Sequence, residues 1–343
     1  MSLLPAHSCH SLCASPGGRR RLALGVLWAV LALWAGPRSV LAAPPPGAQK
    51  LRLATWNLEW LMTPSGFNAL KGSCVPADAP RRGARRSIPC DVAADLERSA
   101  TDIAGLARYA RELDADVIAV QEVDGVNAAR QIFPRHEFCF TGGPAVQNTG
   151  FAILRGLPFR CEADLAALSL GDSVRRGAAL TLFPGTVHEL HLLAVHLKSG
   201  CARGQLDTHA YACARLSRQG PALRAWLKRE AASGARYAVL GDFNRDLLAD
   251  AGAAGAAGGT AGLWGQLQEA AGGGLMNTAQ LQPYRNCRIG QPHSGYIDYI
   301  LLGGALQRSL MPGSFERLSY SATDAWRLKL SDHCPVAVEL LLY

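Results

Sequence analysis

Apolar runs of five to eight residues recur along the whole chain, and they constrain its fold more than any other feature. They read "LRLATW" (51–56), "DVIAV" (116–120), "FAILR" (151–155), "AALTLF" (178–183), "LHLLAVH" (190–196), "YAVLGD" (237–242), "YIDYILL" (296–302) and "PVAVELLL" (335–342). Runs of this length and composition predict strands. Two longer stretches carry a different period. From Ala94 to Leu113, the residues Leu96, Ala100, Ile103, Leu106, Ala110 and Leu113 recur every three or four positions, which predicts an amphipathic helix. Tyr211 to Ala232 sets Leu216, Leu223 and Leu227 on one side and predicts a second helix. Strands mixed with helices indicate an α/β architecture. The stretches 72–90, rich in Pro, Gly and Arg, and 249–262, an Ala/Gly tract, predict loops. No internal repeat or boundary divides the chain, so a single domain over 44–343 is expected.

Polar residues gather where these runs begin or end. Asn57 and Glu59 follow the first, Gln121 and Glu122 the second, His196 and Lys198 a later one, and Asp242 and Asn244 the next. Asp298 sits inside "YIDYILL", and Asp332 and His333 stand before the last run. In open α/β sheets such ends are where loops bring distant residues together. Taken singly, most have a plainer reading. A carboxylate after a strand is ordinarily a turn former or helix cap, and Asp242 in "GDFN" fits an Asx turn. A lone His196 is more often a satisfied histidine than a catalyst. Asp298 is different, because an unpaired carboxylate within a strand costs several kcal/mol, so it requires a partner such as a histidine.

The amino terminus reads as an export signal. Arg19, Arg20 and Arg21 precede the uncharged run Leu22 to Ala35, and small residues follow up to a cleavage point after Ala42 or Ala43. The run is shorter than the ~20 residues of a spanning helix. An uncleaved anchor is the alternative, and Arg19-Arg20 loosely fits a twin-arginine signal. Cleavage would leave residues 44–343 periplasmic or secreted, with no stable membrane anchor. Residues 1–43 carry four arginines and no acid, so their loss takes the formal charge from +8 to +4, a bias that permits an anionic partner without demanding one. Eight of the ten cysteines lie beyond the signal, and an even number in an oxidising compartment suggests disulfides. Neighbours in sequence pair as Cys74 with Cys90, Cys139 with Cys161 and Cys201 with Cys213, while Cys287 and Cys334 stay open as buried free thiols.

Six motifs in order, "WNLEW", "QEV", "AVHLKS", "GDFN", "YIDYIL" and "SDHCPV", resemble the endonuclease/exonuclease/phosphatase superfamily, the deoxyribonuclease I-like fold. They run from Asn57 to His333 and so cover nearly all of the mature chain. The resemblance implies a four-layered α/β sandwich, two packed mixed β-sheets flanked by helices. It also implies a phosphoester hydrolase using Mg2+, with Mn2+ or Ca2+ as alternatives. Hard dications take oxygen ligands, which fits Glu122 as principal ligand with Asn57, Glu59 and Asp332 near it. Asp242 would act as general base, Asn244 as hydrogen-bond donor to phosphate, and His333, oriented by Asp298, as the group against the phosphate. His196 would be a second imidazole on the phosphate, as acid or ligand, and the sequence does not identify its carboxylate partner.

Arg175 and Arg176 precede a strand as phosphate-holding arginines do in such enzymes, and Lys198, Arg203, Arg215 and Arg218 lie around the loop after His196. The plainer reading is a solvated basic face. A nuclease acting on DNA, or on RNA, as a monomer with weak sequence preference leads the readings. A phosphodiesterase or phosphatase of phospholipid headgroups or small phosphorylated compounds is the alternative, sphingomyelinase- or inositol-phosphatase-like. A catalytically silent binding scaffold is third, and the intact acid, amide and imidazole set counts against it.

Overall fold

The computed structural model describes residues 47–76, 86–143, 145–171, 175–253, 262–287 and 295–343. The expected signal, with Cys9 and Cys13, lies outside them, as do 77–85 of the arginine-bearing loop. Strands β1 (Gln49–Leu61), β2 (Val117–Val123), β3 (His136–Phe140) and β4 (Asn148–Leu154) come first along the chain. They are followed by β5 (Phe159–Cys161), β6 (Ala178–Leu182), β7 (Leu190–His196), β8 (Tyr237–Asp242), β9 (Leu275–Asn277), β10 (Asp298–Gly303), β11 (Glu316–Arg317) and β12 (Val336–Leu342). These build two mixed sheets, ordered β11-β12-β1-β2-β4-β3 and β5-β6-β7-β8-β10-β9. The helices are α1 (Pro64–Lys71), α2 (Cys90–Asp95), α3 (Ala100–Leu113), α4 (Gly125–Arg130), α5 (Tyr211–Ser233), α6 (Leu247–Ala253), α7 (Leu263–Ala270) and α8 (Ala322–Arg327). Among the described residues no helix is long and apolar enough to cross a membrane.

The uninterrupted apolar runs follow from this layering, because successive side chains of a strand point to opposite faces and here both faces are covered. In β1, Leu51 and Leu53 join the core shared with the second sheet, while Ala54 and Trp56 pack with Leu106, Tyr109 and Leu113 of α3. In β2, Val117 and Ala119 take the first side, Ile118 and Val120 the second. The outer face of the second sheet is covered by Leu216, Leu223 and Leu227 of α5 and by Leu263 and Leu267 of α7. Each such side chain contributes roughly 1.5–3 kcal/mol when fully buried. The result is two packed mixed sheets flanked by helices.

Several details differ from the sequence expectation. The helix expected from Ala94 is interrupted: α2 ends at Asp95 and α3 begins at Ala100. Ser99 is the cause, because its hydroxyl accepts from the Asp102 backbone N–H while the Asp102 carboxylate accepts from the Ser99 N–H, a reciprocal cap. Strand β10 begins at Asp298 rather than Tyr296, so that carboxylate opens the strand instead of interrupting it. Residues 249–253 of the expected Ala/Gly loop close the helix α6; 254–261 lie outside the described residues. Cysteines pair as Cys74–Cys90, Cys139–Cys161 and Cys201–Cys213. Cys287 and Cys334 are not free thiols but form a fourth disulfide.

Parallel strands β7 and β8 bring Val195 opposite Gly241, one residue before Asp242. Gly241 has φ +142°, and a Cβ there would meet the Val195 carbonyl oxygen at 2.0 Å. We expect Gly241→Ala to destabilise the protein by roughly 2–4 kcal/mol, read by urea unfolding. An unchanged midpoint would mean that the strands do not approach this closely.

Candidate active site at the sheet ends

Strands β1, β2, β7, β8 and β10 and the segment before β12 deliver the polar groups. Strands β1 and β2 run parallel, and both lose register near their ends, between Asn57 and Leu61 and between Val120 and Val123. Bulges of this kind re-aim side chains. At them, Glu59 (φ 44°), Trp60 (φ 54°) and Glu122 (φ 59°) adopt the left-handed conformation, and Asn244 (φ 51°) does so just after β8. For residues with a Cβ this conformation is strained and persists only where the surroundings enforce it. Here the enforcement is visible. The Glu122 carboxylate accepts from the Trp60 N–H at 3.3 Å, from Asn57 Nδ2 at 3.3 Å and from Gln147 Nε2 at 2.6 Å.

Asn57, buried at the end of the first apolar run, links two acids. Its Nδ2 donates to Glu122 and to Asp242 Oδ2 at 3.1 Å, while its Oδ1 accepts from the Glu59 N–H at 3.0 Å. It thereby orients both carboxylates. The Asn244 N–H donates to Asp242 Oδ1 at 2.7 Å, so the Asx turn is real, and Asn244 Nδ2 donates to Asp242 Oδ2 at 3.0 Å and to the Leu197 carbonyl at 3.1 Å. Asn244 was expected as a hydrogen-bond donor to phosphate; here it sits in a turn, and its side-chain amide hydrogens go to Asp242 and Leu197.

Asp298 and Asp242 face one another in the β8–β10 register. His333 Nδ1 lies 2.8 Å from Asp298 Oδ2, and its Nε2 lies 3.9 Å from Asp242 Oδ2. Burial opposes charge on His333, but the carboxylates of Asp298 and Asp242 outweigh it and hold the imidazolium well above the usual histidine range. Asp242 is pushed up to about 7 by burial, with Asp298 adding to the shift and His333, Asn244 and Asn57 resisting it. His196 has the opposite fate. Burial and then the positive charges of Arg175, His333 and Lys198 press its pKa well below the ordinary value. Its Nε2 lies 3.4 Å from Asp242 Oδ2 and 3.5 Å from Glu122 Oε1, which supplies the acidic neighbours the sequence did not identify. Among the described residues its Nδ1 has no hydrogen-bond partner, and neither does Asp298 Oδ1.

A cavity of about 300 Å³ opens beside this group, lined by Glu59, Trp60, Asp91, Asp95, Glu122 and Asp332. Burial, then Asp332 and Glu122, push Glu59 up to about 7 even though Arg98 opposes the shift. Acids crowded this way fit a hard dication, which would relieve the repulsion a proton otherwise relieves. Asp242, Asp298 and His333 also gather one donor atom each within 4.8 Å. That set is buried and already joined by the His333–Asp298 hydrogen bond, so the carboxylates at the cavity fit an oxygen-seeking cation better.

The basic candidates are less central. Arg175 Nη2 donates to the Leu197 carbonyl at 2.9 Å, Arg176 Nη1 lies 3.6 Å from Asp164, and Lys198 Nζ donates to the Ser199 carbonyl at 2.7 Å. Arg203 pairs with Asp246 at 2.8 Å, and Arg215 lies over the Tyr211 ring. Sequence reasoning missed Arg98, whose side chain is 5% exposed. It donates to the carbonyls of Glu59 (2.7 Å), Lys329 (2.8 Å) and Leu330 (3.4 Å), tying the Glu59 bulge to the segment that carries Asp332. An arginine within a helical pattern gave no signal. Ser331, within "SDHCPV", also belongs to the site: its hydroxyl donates to the Asn57 carbonyl at 2.7 Å and accepts from the His333 N–H at 3.0 Å.

Residues 54–333 match the model of the Endonuclease/Exonuclease/phosphatase family. No curated protein matches the chain. Among solved structures, D. rerio TDP2 complexed with a single-strand DNA product is similar at 17% identity and TM-score 0.50, covering 85% of this chain and 98% of that one. C. elegans TDP2 has 12% identity and TM-score 0.51, covering 85% and 74%. The endonuclease/exonuclease/phosphatase from Bacteroides vulgatus has 12% identity and TM-score 0.50, covering 86% and 100%. These likenesses are of fold.

The protonation pattern can be tested directly. A raised His333 pKa adds stability in full below the ordinary histidine value of about 6.5, and that stability is lost as pH climbs through the folded value. In chelator-treated protein we expect imidazolium nitrogen shifts for His333 at about pH 7.5 and neutral-ring shifts for His196 at about pH 6. A neutral His333 at the higher pH would contradict the Asp298–His333 pairing.

Proposed function

The chain belongs to the Endonuclease/Exonuclease/phosphatase family, and from that premise we propose that it is an exported, metal-dependent phosphodiesterase hydrolysing nucleic-acid backbones, DNA foremost, with weak sequence preference. One observation carries the reading. A buried carboxylate, Asp242, is fixed by two amides beside the cationic His333 and an acid-lined cavity.

In this mechanism Asp242 takes the proton of the attacking water. Its pKa of about 7 suits a base working near neutrality, and Asn57 and Asn244 fix the direction in which it accepts. His333, kept cationic by Asp298, stands against the phosphate and offsets its charge. His196 is held neutral, which favours hydrogen-bond donation over proton delivery. Glu122, Glu59 and Asp332 would hold Mg2+ (Mn2+ or Ca2+ as alternatives), whose chemistry is polarisation of a phosphoryl oxygen. Arg175, Arg176 and Lys198 supply positive charge along the approach to the site, in keeping with phosphate-dominated binding.

D. rerio TDP2, a protein of similar fold, has been crystallised with a single-strand DNA product, and this supports the nucleic-acid reading. Four disulfides fit an oxidising compartment and so support export of a monomeric catalytic domain, residues 44–343, after loss of 1–43. A second reading draws on Asp91 and Asp95, which add two carboxylates to the cavity. Such a wall suits a cationic headgroup better than a polyanion, and favours a phospholipid or small-phosphoester substrate.

Purified protein offered plasmid, RNA, sphingomyelin and a chromogenic phosphodiester with magnesium should degrade the plasmid, lose activity on chelation, and weaken steeply with salt. Intact plasmid beside a cleaved lipid would replace the nuclease reading by the second. We expect Asp242→Asn and His333→Ala each to lower turnover by about a hundredfold or more. Full turnover in either variant would remove that residue from the mechanism.

A further inference from the structure

The loop that leaves β7 after His196 is held by the catalytic turn on one side and by α5 on the other. Leu197 takes hydrogen bonds from Arg175 and Asn244, and the Lys198 N–H donates to Gln219 of α5 at 2.8 Å. Gly200 packs so tightly on α5 that an added Cβ would lie 3.1 Å from the Ala212 side chain. The next residue, Cys201, is bonded to Cys213. Buried Arg245, directly after Asn244, donates to the Cys201 carbonyl at 3.1 Å and pairs with Asp250. The first turn of α5 is thus fixed in place relative to the Asp242–Asn244 turn.

On that turn stands Tyr211, 67% exposed, one of few large apolar side chains left in water among the described residues. The guanidinium of Arg215 lies over its ring, 5.0 Å from the centroid. An exposed ring one turn from an arginine exposes an aromatic face with positive charge beside it. From 198 to 218 the chain carries four Lys or Arg residues against one acid, Asp207. Four backbone steps lead from His196 to Gly200, a span of at most about 14 Å even when extended. Tyr211 therefore lies a few nucleotides of strand away from the catalytic imidazoles.

We infer that Tyr211, with Arg215 behind it, is a stacking platform for an unpaired base of a single-stranded nucleic acid whose backbone enters the catalytic site. This rests on the nucleic-acid reading above and narrows it to single strands or strand ends. Every base offers a π-face, so such a platform adds affinity without sequence preference. It also adds binding energy at residues outside the acid-lined cavity, since Tyr211 and Arg215 are not among its lining.

The experiment compares a labelled single-stranded oligonucleotide with bis-p-nitrophenyl phosphate, which is too small to reach the platform, in the wild type, Tyr211→Ala and Tyr211→Phe. Tyr211→Ala should raise KM for the oligonucleotide by on the order of 5- to 100-fold, the range expected for one lost base–aromatic stack. It should leave the small ester unaffected, and Tyr211→Phe, which keeps the ring, should behave as wild type. An unchanged oligonucleotide KM in Tyr211→Ala overturns the platform while leaving the nuclease reading intact. Equal losses on both substrates would show that Tyr211 merely supports the loop, and also overturn it. A wild type that cleaves the ester but not the oligonucleotide rejects the nucleic-acid reading itself, and the platform with it.

Discussion

Two carboxylates out of contact with water, Asp242 and Asp298, meet across neighbouring antiparallel strands, and a single imidazolium holds them together. Burying one ionised acid is expensive, and burying two side by side is worse unless a cation is shared. Much of the surrounding architecture serves that compensation. The last strand must start where His333 can reach β10, and β8 must end where its acid can be wrapped by Asn57 and Asn244. The carbonyl of His333 is itself held by Trp56 and Tyr320, which anchors the imidazole from behind through the helix-facing core.

Strain is concentrated at the same end of the sheets. Glu59, Trp60, Glu122 and Asn244 all take a backbone conformation that side chains disfavour, and each is fixed by hydrogen bonds to another site residue. The bulges of β1 and β2 are therefore local departures from regular pairing within strands whose central residues, Leu53 to Leu58 and Val117 to Gln121, are buried. Arg98 adds a buried cation on this flank, with burial pulling its pKa down and Glu59 resisting that pull.

Much of this was readable from the residues. The runs "LRLATW" and "DVIAV" were legible as strands, and strand geometry then decides which of their side chains share a face. The polar residues at the ends of the runs stood out because a core has no use for them. What the sequence hid were relations that depend on register. Nothing in "LAVHLKS" says that His196 would lie between Glu122 and Asp242, since that depends on how two sheets pack. The Asx turn at Asp242 was legible in "GDFN", but not that it would spend the Asn244 side chain on Asp242 and Leu197, which depends on where β7 lies. Arg98 looked like one more solvent-facing charge because the break at Ser99 that turns it inward is a single capping contact.

The fourth disulfide has a mechanical consequence. Cys334 follows His333 directly, and its bond to Cys287 closes a loop spanning 47 positions. In the chain-entropy treatment such a closure removes on the order of 4 kcal/mol of disorder from the unfolded chain. Its effect on partial opening is more specific. Should β12 peel from its neighbours, the imidazole would remain leashed one residue away from the Cys287 bond, so the excursion stays short and re-docking finds the same groove.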